Sequence, residues 1–313
     1  MREIAKKIIQ LKEQTKTLVL AHYYDESEIQ DIADHVGDSL YLAQVGQNSP
    51  QQKILLAGVY FMAESVKILS PKKTVMVPDR EAGCSLVDHS PYDKYLKWKN
   101  DHPNGIVVTY INSSAAIKSI SDVICTSSNA EKIIQSIPAD REILFGPDKN
   151  LGSYLSKKLN RPMVLWPGAC EVHVLFSSRK LFELKKLNPD ALVLAHPECT
   201  DAVLEYADII GSTSRLLKEV ETNSKKKFIV ATEQGIFHQM KKLRPEAELI
   251  QAPAEGSCAC NECPYMKLNT LEKIYSTLEA GVDNVPVDEK LLDLAYVSLD
   301  RMMKITNNES VSW

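Results

Sequence analysis

An internal repeat constrains this chain more than any other feature of its sequence. Three segments can be written under one another: LVLAHYYDESEIQDIADHVGDS, VVTYINSSAAIKSISDVICTS and LVLAHPECTDAVLEYADIIGST. Each begins with apolar, β-branched residues typical of a strand, and each strand ends in a polar ring, at His22, Tyr110 and His196. An aspartate follows 12 residues after each ring, and a hydroxyl side chain follows 17 residues after it. Spacings kept three times without a gap indicate three copies of one structural unit.

The second half of each unit also repeats, more loosely. The strands KILLAGVYF, REILFGP and KFIVATEQG lead into helical stretches, and a further strand then ends in a loop that contains a cysteine. Short apolar strands alternating with helices predict parallel βαβ units. We therefore expect an α/β fold of three similar parallel units, at residues 1–86, 87–172 and 173–313, related by pseudo-threefold symmetry around a central active site. Two amphipathic closing helices are predicted after Cys263.

Composition and charge exclude several other classes of protein. The chain has 313 residues, of which 44% are hydrophobic and 25% charged, and its formal net charge is −4. This excludes long disorder and gives no general attraction to nucleic acid or to an anionic membrane. The longest apolar run, 54–63, is too short to span a bilayer, and the first residues lack the apolar core of a secretory signal. We expect a cytoplasmic protein that binds neither nucleic acid nor membrane.

The repeat also predicts one shared site. In parallel α/β sheets, ligands bind in the crevice beyond the carboxyl ends of the strands, and the repeated polar residues lie at such ends. Cys84, Cys170 and Cys263 then converge, one from each unit. Three thiolates suit three corners of a cubane iron–sulfur cluster and leave the fourth iron open. The seven cysteines, an odd count without a secretory signal, favour a metal or redox role over a disulfide framework.

Other interpretations of the cysteines stay open at this point. A single buried cysteine usually packs as a small apolar side chain, which is the prediction for Cys125 and Cys199. The segment Cys258-Ala-Cys260-Asn-Glu-Cys263 resembles half of a zinc site, although no second half follows it. A thioredoxin-like pair at Cys260 and Cys263 is a third possibility. The roles of Cys258 and Cys260 are therefore left open.

Six motifs taken together resemble the quinolinate synthase family. They are AHYYDESEIQDIADHVGDS, YINSSAAIKSISDVICTSSNA, GACEVH, LAHPEC, GSTS and CPYM, in this order between residues 15 and 280. The resemblance implies a condensing and dehydrating transferase of NAD biosynthesis, which makes quinolinate from iminoaspartate and dihydroxyacetone phosphate with loss of phosphate and two waters. It implies a [4Fe–4S] cluster on Cys84, Cys170 and Cys263, whose open iron acts as a Lewis acid. An upstream aspartate-oxidising enzyme is an implied partner.

The same resemblance implies the residues of the active site. They are His22, Tyr24, Ser39, Tyr110, Asn112, Ser127, His173, His196, Glu198, Ser212 and Thr213. The chain departs from one family pattern, because some members have CxxCxxC before the proline and this chain has CxCxxC. The last cysteine of the motif, Cys263, aligns with the family's cluster ligand in either form.

Chemical roles can be assigned to several of these residues. No Walker-type loop and no GxGxxG occurs, so anions would be held by hydroxyls and backbone N–H groups at helix starts, at Ser39, Ser127 and Thr213. Capping alone is the other explanation of these hydroxyls. Glu198 is the candidate general base, because an enclosed carboxylate near a metal can have its pKa tuned toward the working pH.

The remaining catalytic candidates are three ring side chains. His196 would bind substrate or orient Glu198, and Tyr24 and Tyr110 would move protons.

Two other functions fit the spacing alone: a different [4Fe–4S] hydro-lyase, and a non-enzymatic iron–sulfur redox sensor. The sensor would need a basic or apolar recognition surface, and no charge run or appended domain supplies one.

Overall fold

The computed structural model describes residues 2–256 and 261–313. Cys258 and Cys260 lie outside these ranges, and their roles stay open. The strands of the described part are β1 (Thr17–His22), β2 (His35–Gly37), β3 (Lys53–Ala57), β4 (Thr74–Met76), β5 (Ile106–Tyr110), β6 (Val123–Cys125), β7 (Ile143–Gly146), β8 (Val164–Leu165), β9 (Leu192–Ala195), β10 (Ile209–Ile210), β11 (Lys227–Ala231) and β12 (Glu248–Gln251).

Helices connect and cover these strands. They are α1 (Glu3–Thr15), α2 (Ser27–Ile32), α3 (Ser39–Asn48), α4 (Tyr60–Leu69), α5 (Ser85–Asp88), α6 (Tyr92–Asp101), α7 (Ala115–Ile120), α8 (Ala130–Ser136), α9 (Lys149–Leu159), α10 (Ser178–Leu187), α11 (Asp201–Leu204), α12 (Thr213–Thr222), α13 (Phe237–Leu243), α14 (Leu271–Ala280) and α15 (Glu289–Thr306). Short 3₁₀ helices lie at His173–Leu175, Gln234–Ile236 and Met266–Leu268. No helix in the described ranges is both long and apolar enough to cross a membrane.

The strands form three parallel sheets of four strands with one common order. The orders are β2-β1-β3-β4, β6-β5-β7-β8 and β10-β9-β11-β12. The register repeats as well, because Ala21 pairs with Ala57 as Ala195 pairs with Ala231. The prediction of an α/β fold from three similar parallel units is confirmed. The sheets span 17–76, 106–165 and 192–251, and the boundaries between units and the pseudo-threefold axis stay predictions.

Burial explains why the sequence of the first strand in each unit is an apolar run. All six residues of β1 and all five of β5 are buried, as expected where helices cover both faces of a parallel sheet. The two closing helices are present as α14 and α15, and their principal contacts lie outside the third sheet. Instead α14 packs against α1, and α15 lies against α7, α4 and α8, which joins the end of the chain to the first two units.

The repeated aspartates have a structural role. Asp34, Asp122 and Asp208 each accept a hydrogen bond of 2.8 Å through Oδ2 from a strand N–H. The donors are Val19, Val107 and Val193. Each aspartate also pairs through Oδ1 with a lysine of the helix that precedes the strand: Lys12, Lys99 or Lys185, at 2.8–2.9 Å. The aspartate therefore fastens a helix and a strand together in every unit, away from the cavity.

Candidate active site

One cavity lies beyond the carboxyl ends of β1, β5 and β9 and receives side chains from all three units. The predicted residues that line it are His22, Tyr24, Ser39, Cys84, Tyr110, Asn112, Ser127, Cys170, His173, His196, Glu198, Thr213 and Cys263. Ser212, although described, is not among the lining residues. Its hydroxyl accepts a hydrogen bond from the N–H of Arg215 and caps α12.

The two repeated histidines are neutral and share one orientation. Nδ1 of His22 accepts from the N–H of Tyr24 at 3.2 Å, and Nδ1 of His196 accepts from the N–H of Glu198 at 3.4 Å. Burial lowers the pKa of His22 to about 4 and that of His196 to about 3. Because Nδ1 accepts, the proton lies on Nε2, so the Nε2–H of His196 donates to Ser127 Oγ at 3.2 Å.

Glu198 is held by two donors from different units. The hydroxyl of Tyr110 donates to Oε1 at 2.6 Å, and Nδ1 of His173 lies 3.1 Å from Oε2. Burial by itself raises the pKa of Glu198, but the donors His173 and Tyr110 outweigh it and hold the pKa well below its usual range. The carboxylate is therefore ionised, whereas the sequence predicts a pKa tuned upward.

Thr232 extends these contacts into a chain of polar groups along the cavity wall. Its Oγ1 lies 3.0 Å from Nε2 of His173 and 2.6 Å from the hydroxyl of Tyr24. The chain runs Tyr110–Glu198–His173–Thr232–Tyr24 and includes groups of all three units. Sequence reasoning missed Thr232. A signal exists, because it follows β11 directly, where the first two units have Gly58 and Pro147.

Asp38 joins the helix starts beside the cavity and was also missed. Its Oδ1 accepts from the N–H of Tyr41 at 2.9 Å and caps α3. Its Oδ2 accepts from the hydroxyls of Ser128, at 2.8 Å, and Ser214, at 2.7 Å. These residues are sequence neighbours of Ser39, Ser127 and Thr213. The carboxylate thus fixes the three repeated hydroxyls relative to one another.

The three predicted cysteine ligands are half-buried thiols on the cavity wall. In the described part of the chain they are free, and Cys125 and Cys199 are fully buried in the core, as predicted. The Asn112 amide points at the Cys84 sulfur, 3.9 Å away. Burial raises the pKa of Cys84 to about 12 and that of Cys263 to about 11, so a bound cation is needed to hold them as thiolates.

The spacing of the thiols bears on whether all three could share a single ion. Sulfurs about 2.3 Å from one zinc ion stand roughly 3.8 Å apart. In the described part of the chain, Cys84, Cys170 and Cys263 do not form a group with all ligand atoms within 4.8 Å. The compact group that does occur is Cys170, His173 and Glu198.

Comparisons with known proteins place relatives along nearly the whole length of the chain. The family model described as quinolinate synthetase A protein matches residues 6–304. A protein of Microcystis aeruginosa named quinolinate synthase is 50% identical over 96% of this chain and 94% of its own length. Relatives of the same name from Prochlorococcus marinus (strain MIT 9303) and Synechocystis are 47% and 48% identical, over 99% and 97% of this chain and 93% and 96% of their own lengths.

Among solved structures, the E-1-hydroxy-2-methyl-but-2-enyl-4-diphosphate reductase of Plasmodium falciparum aligns with 82% of this chain and 90% of its own. Its TM-score is 0.33 and its identity 10%, which is too weak a likeness to support any inference. The family match and the relatives cover nearly the whole chain, including every predicted site residue. The chain therefore belongs to the quinolinate synthetase A family of enzymes.

Proposed function

We propose that this enzyme condenses iminoaspartate with dihydroxyacetone phosphate to form quinolinate, with release of phosphate and two waters. The observation that carries the proposal is the meeting, in one cavity, of a thiol from each unit with the Tyr110–Glu198–His173 contacts. A condensation with two dehydrations needs anion-binding donors, a proton acceptor and an electrophilic centre. The cavity wall has candidates for each.

Neutral donors would bind the anionic substrates. The Nε2–H groups of His22 and His196, the Asn112 amide and the hydroxyls at the starts of α3 and α12 line the cavity. Backbone N–H groups at a helix start attract carboxylate or phosphate, and the first residues of these two helices are Ser39 and Thr213.

Glu198 would act as the proton acceptor. It is ionised, so it can take a proton without first losing one, and its donors Tyr110 and His173 are placed to exchange protons with it. Burial is the main reason that the pKa values of Tyr24 and Tyr110 lie well above the usual tyrosine value. Both hydroxyls therefore keep their protons at neutral pH and can serve as donors.

Cys84, Cys170 and Cys263 would hold a [4Fe–4S] cluster. Such a cluster, bound through three thiolates, would supply a Lewis-acidic iron at the cavity. The protein would contribute the shape and polarity of the cavity around it, with the Asn112 amide on one sulfur and His173 beside another.

The test is an anaerobic assay for quinolinate, made on protein whose iron and acid-labile sulfide are counted. We expect Cys84→Ala, Cys170→Ala and Cys263→Ala each to lose the cluster and the activity, because two remaining thiolates anchor a cubane poorly. Cys125→Ala and Cys199→Ala, which change buried core positions, are the controls and should keep the cluster. Wild-type cluster absorbance in any of the first three variants would contradict the ligand assignment.

A second candidate rests on the compact group of Cys170, His173 and Glu198. Nδ1 of His173 lies 3.2 Å from the Cys170 sulfur and 3.1 Å from Glu198 Oε2, a donor set that suits one zinc ion. Metal analysis separates the two proposals: a single ion without sulfide would support the mononuclear site. In that case Cys84→Ala and Cys263→Ala would keep the metal.

The same assay addresses the other functions that fit the spacing. A different hydro-lyase would hold the cluster without making quinolinate, and a redox sensor would show no turnover. We further propose that an aspartate-oxidising enzyme supplies the iminoaspartate, and that the enzyme works in the cytoplasm.

A further inference from the structure

Two buried carboxyl groups, which were not among the residues predicted from the sequence, occupy equivalent positions in the second and third units. Asp148 lies two residues after the end of β7, and Glu233 lies two residues after the end of β11. Both side chains are fully buried, with 0% exposure. Both also lie next to a predicted cluster ligand of their own unit. Neither position belongs to the chain of contacts from Tyr110 to Tyr24.

Each of these carboxyl groups accepts two hydrogen bonds from backbone N–H groups. Asp148 Oδ2 accepts from the N–H of Cys170 at 3.1 Å, and Oδ1 accepts from Leu151 at 2.7 Å, at the start of α9. Glu233 Oε1 accepts from the N–H of Cys263 at 3.3 Å, and Oε2 accepts from Gly235 at 2.6 Å. One oxygen thus holds the cysteine loop, and the other holds the segment that follows the strand.

In the first unit, a backbone hydrogen bond holds the cysteine loop instead of a carboxyl group. The equivalent residue, two positions after the end of β3, is Val59, whose side chain has no hydrogen-bond acceptor. There the N–H of Tyr60 donates to the carbonyl of Ala82 at 2.6 Å and fastens the loop that leads to Cys84. All three cysteine loops are therefore held by residues just past one strand of their own unit, namely β3, β7 or β11.

We infer that Asp148 and Glu233 are positioning residues, which hold the loops of Cys170 and Cys263 so that both sulfurs face the cluster. The inference rests on the proposed function for the identity of the metal group. It goes beyond that proposal in assigning each carboxyl group to one cysteine. A carboxyl group is required because an amide at the same position has only one acceptor oxygen and would turn an N–H donor toward the other backbone N–H.

The experiment compares Asp148→Asn and Glu233→Gln with a matched control in the full-length protein. The control is Asp122→Asn, which also removes a carboxylate acceptor of a backbone N–H, here a half-buried one, but lies away from the cysteines. Cluster-free protein is prepared anaerobically with a chelator and treated with iodoacetamide. Alkylation of each cysteine is followed by peptide mass spectrometry. Iron and sulfide are counted on separately reconstituted samples.

We expect a crossed pattern in which each variant exposes only its own cysteine. Asp148→Asn should speed alkylation of Cys170 about fivefold or more and leave Cys263 unchanged, since a lost buried hydrogen bond shifts a local equilibrium by about that factor. Glu233→Gln should do the reverse. Both variants should bind clearly less iron and sulfide than the wild type, and Asp122→Asn should change neither readout per folded molecule.

The inference would be overturned if either variant accelerated alkylation equally at Cys170 and Cys263. It would also be overturned if the two variants gave the same alkylation rates as the Asp122→Asn control. Wild-type alkylation rates with full cluster loading would overturn it as well. Failure of the proposed function has a different signature: the wild type would then bind no iron and sulfide, whatever the alkylation pattern.

Discussion

Glu198 shows how neighbouring side chains decide the state of a buried group. Its environment is dry, which opposes charge, yet Tyr110 and His173 each direct a donor at one carboxylate oxygen. Hydrogen bonds from two sides stabilise the anion more than burial destabilises it. Glu198 is therefore ionised and free to accept a proton, but its lowered pKa makes it a weak base.

The first residue-scale prediction concerns the loss of that acceptor. Glu198→Gln should keep the fold and the cluster but lower quinolinate formation by about 10²–10⁴-fold, the usual contribution of general acid–base catalysis. Asp208→Asn is the matched control in the same unit, because it removes a structural carboxylate and should reduce stability without reducing turnover per loaded molecule. Rate and iron content are measured on one anaerobic sample. A loaded Glu198→Gln variant with wild-type turnover would remove Glu198 from the mechanism.

The second residue-scale prediction follows from the lowered pKa of His22. Between pH 6.5 and about 4 the unfolded chain binds a proton at this imidazole and the folded chain does not. The stability contributed by His22 therefore falls as the pH falls through that window. Asparagine keeps an acceptor for the N–H of Tyr24 but does not titrate.

Accordingly, the destabilisation caused by His22→Asn should be smaller at pH 5 than at pH 7 by about 2 kcal/mol, at roughly 1.4 kcal/mol per pH unit. Comparing each variant with the wild type at each pH removes the contributions of other titrating groups, including Asp25, whose pKa burial raises to about 7. Urea unfolding of the metal-free protein provides the measurement. The same destabilisation at both pH values would show that His22 is not held neutral.

At the scale of elements, the helix starts beside the cavity depend on one another. Asp38 caps α3 and binds the hydroxyls of Ser128 and Ser214, whereas Ser212 only caps α12. Loss of a cap costs about 1 kcal/mol, and each further buried hydrogen bond contributes roughly another 1 kcal/mol.

Asp38→Ala should therefore lower the free energy of unfolding by about 3 kcal/mol, against about 1 kcal/mol for Ser212→Ala. The two variants are matched, since each removes the cap of a ten-residue helix. Urea denaturation of both proteins is the measurement. Equal losses would mean that Asp38 acts as a cap alone and does not join the units.

Sequence patterns predicted the elements that local chemistry determines. Strand ends at His22 and Tyr110, and one residue before His196, were predictable because a buried parallel strand is an unbroken apolar run that stops at or just before its first polar ring. The partner of a side chain is different, because it depends on how units pack. Asp38 and Thr232 escaped prediction for that reason, since their partners come from other units or from distant positions.

At the scale of the whole molecule, the repeat predicted the three sheets but not the path of the chain end. α15 is amphipathic, and its sequence indicates a helix with one buried face. Nothing in that pattern says which surface it covers, and in the structure it lies on α7 and α4 of the first two units. A hydrophobic stripe determines that a helix must be covered, whereas the complementary surface is a property of the assembled fold.

The chain of polar contacts from Tyr110 to Tyr24 also has a consequence for biosynthesis. Tyr24 is translated early, and its partner Thr232 follows 208 residues later. Contacts so distant in sequence form late during folding, because the intervening loop must close first. Cys263 emerges from the ribosome later still. Nascent chains therefore expose Cys84 and Cys170 before Cys263 is available. If the three thiols bind the proposed cluster, iron delivered before release would meet an incomplete set of ligands.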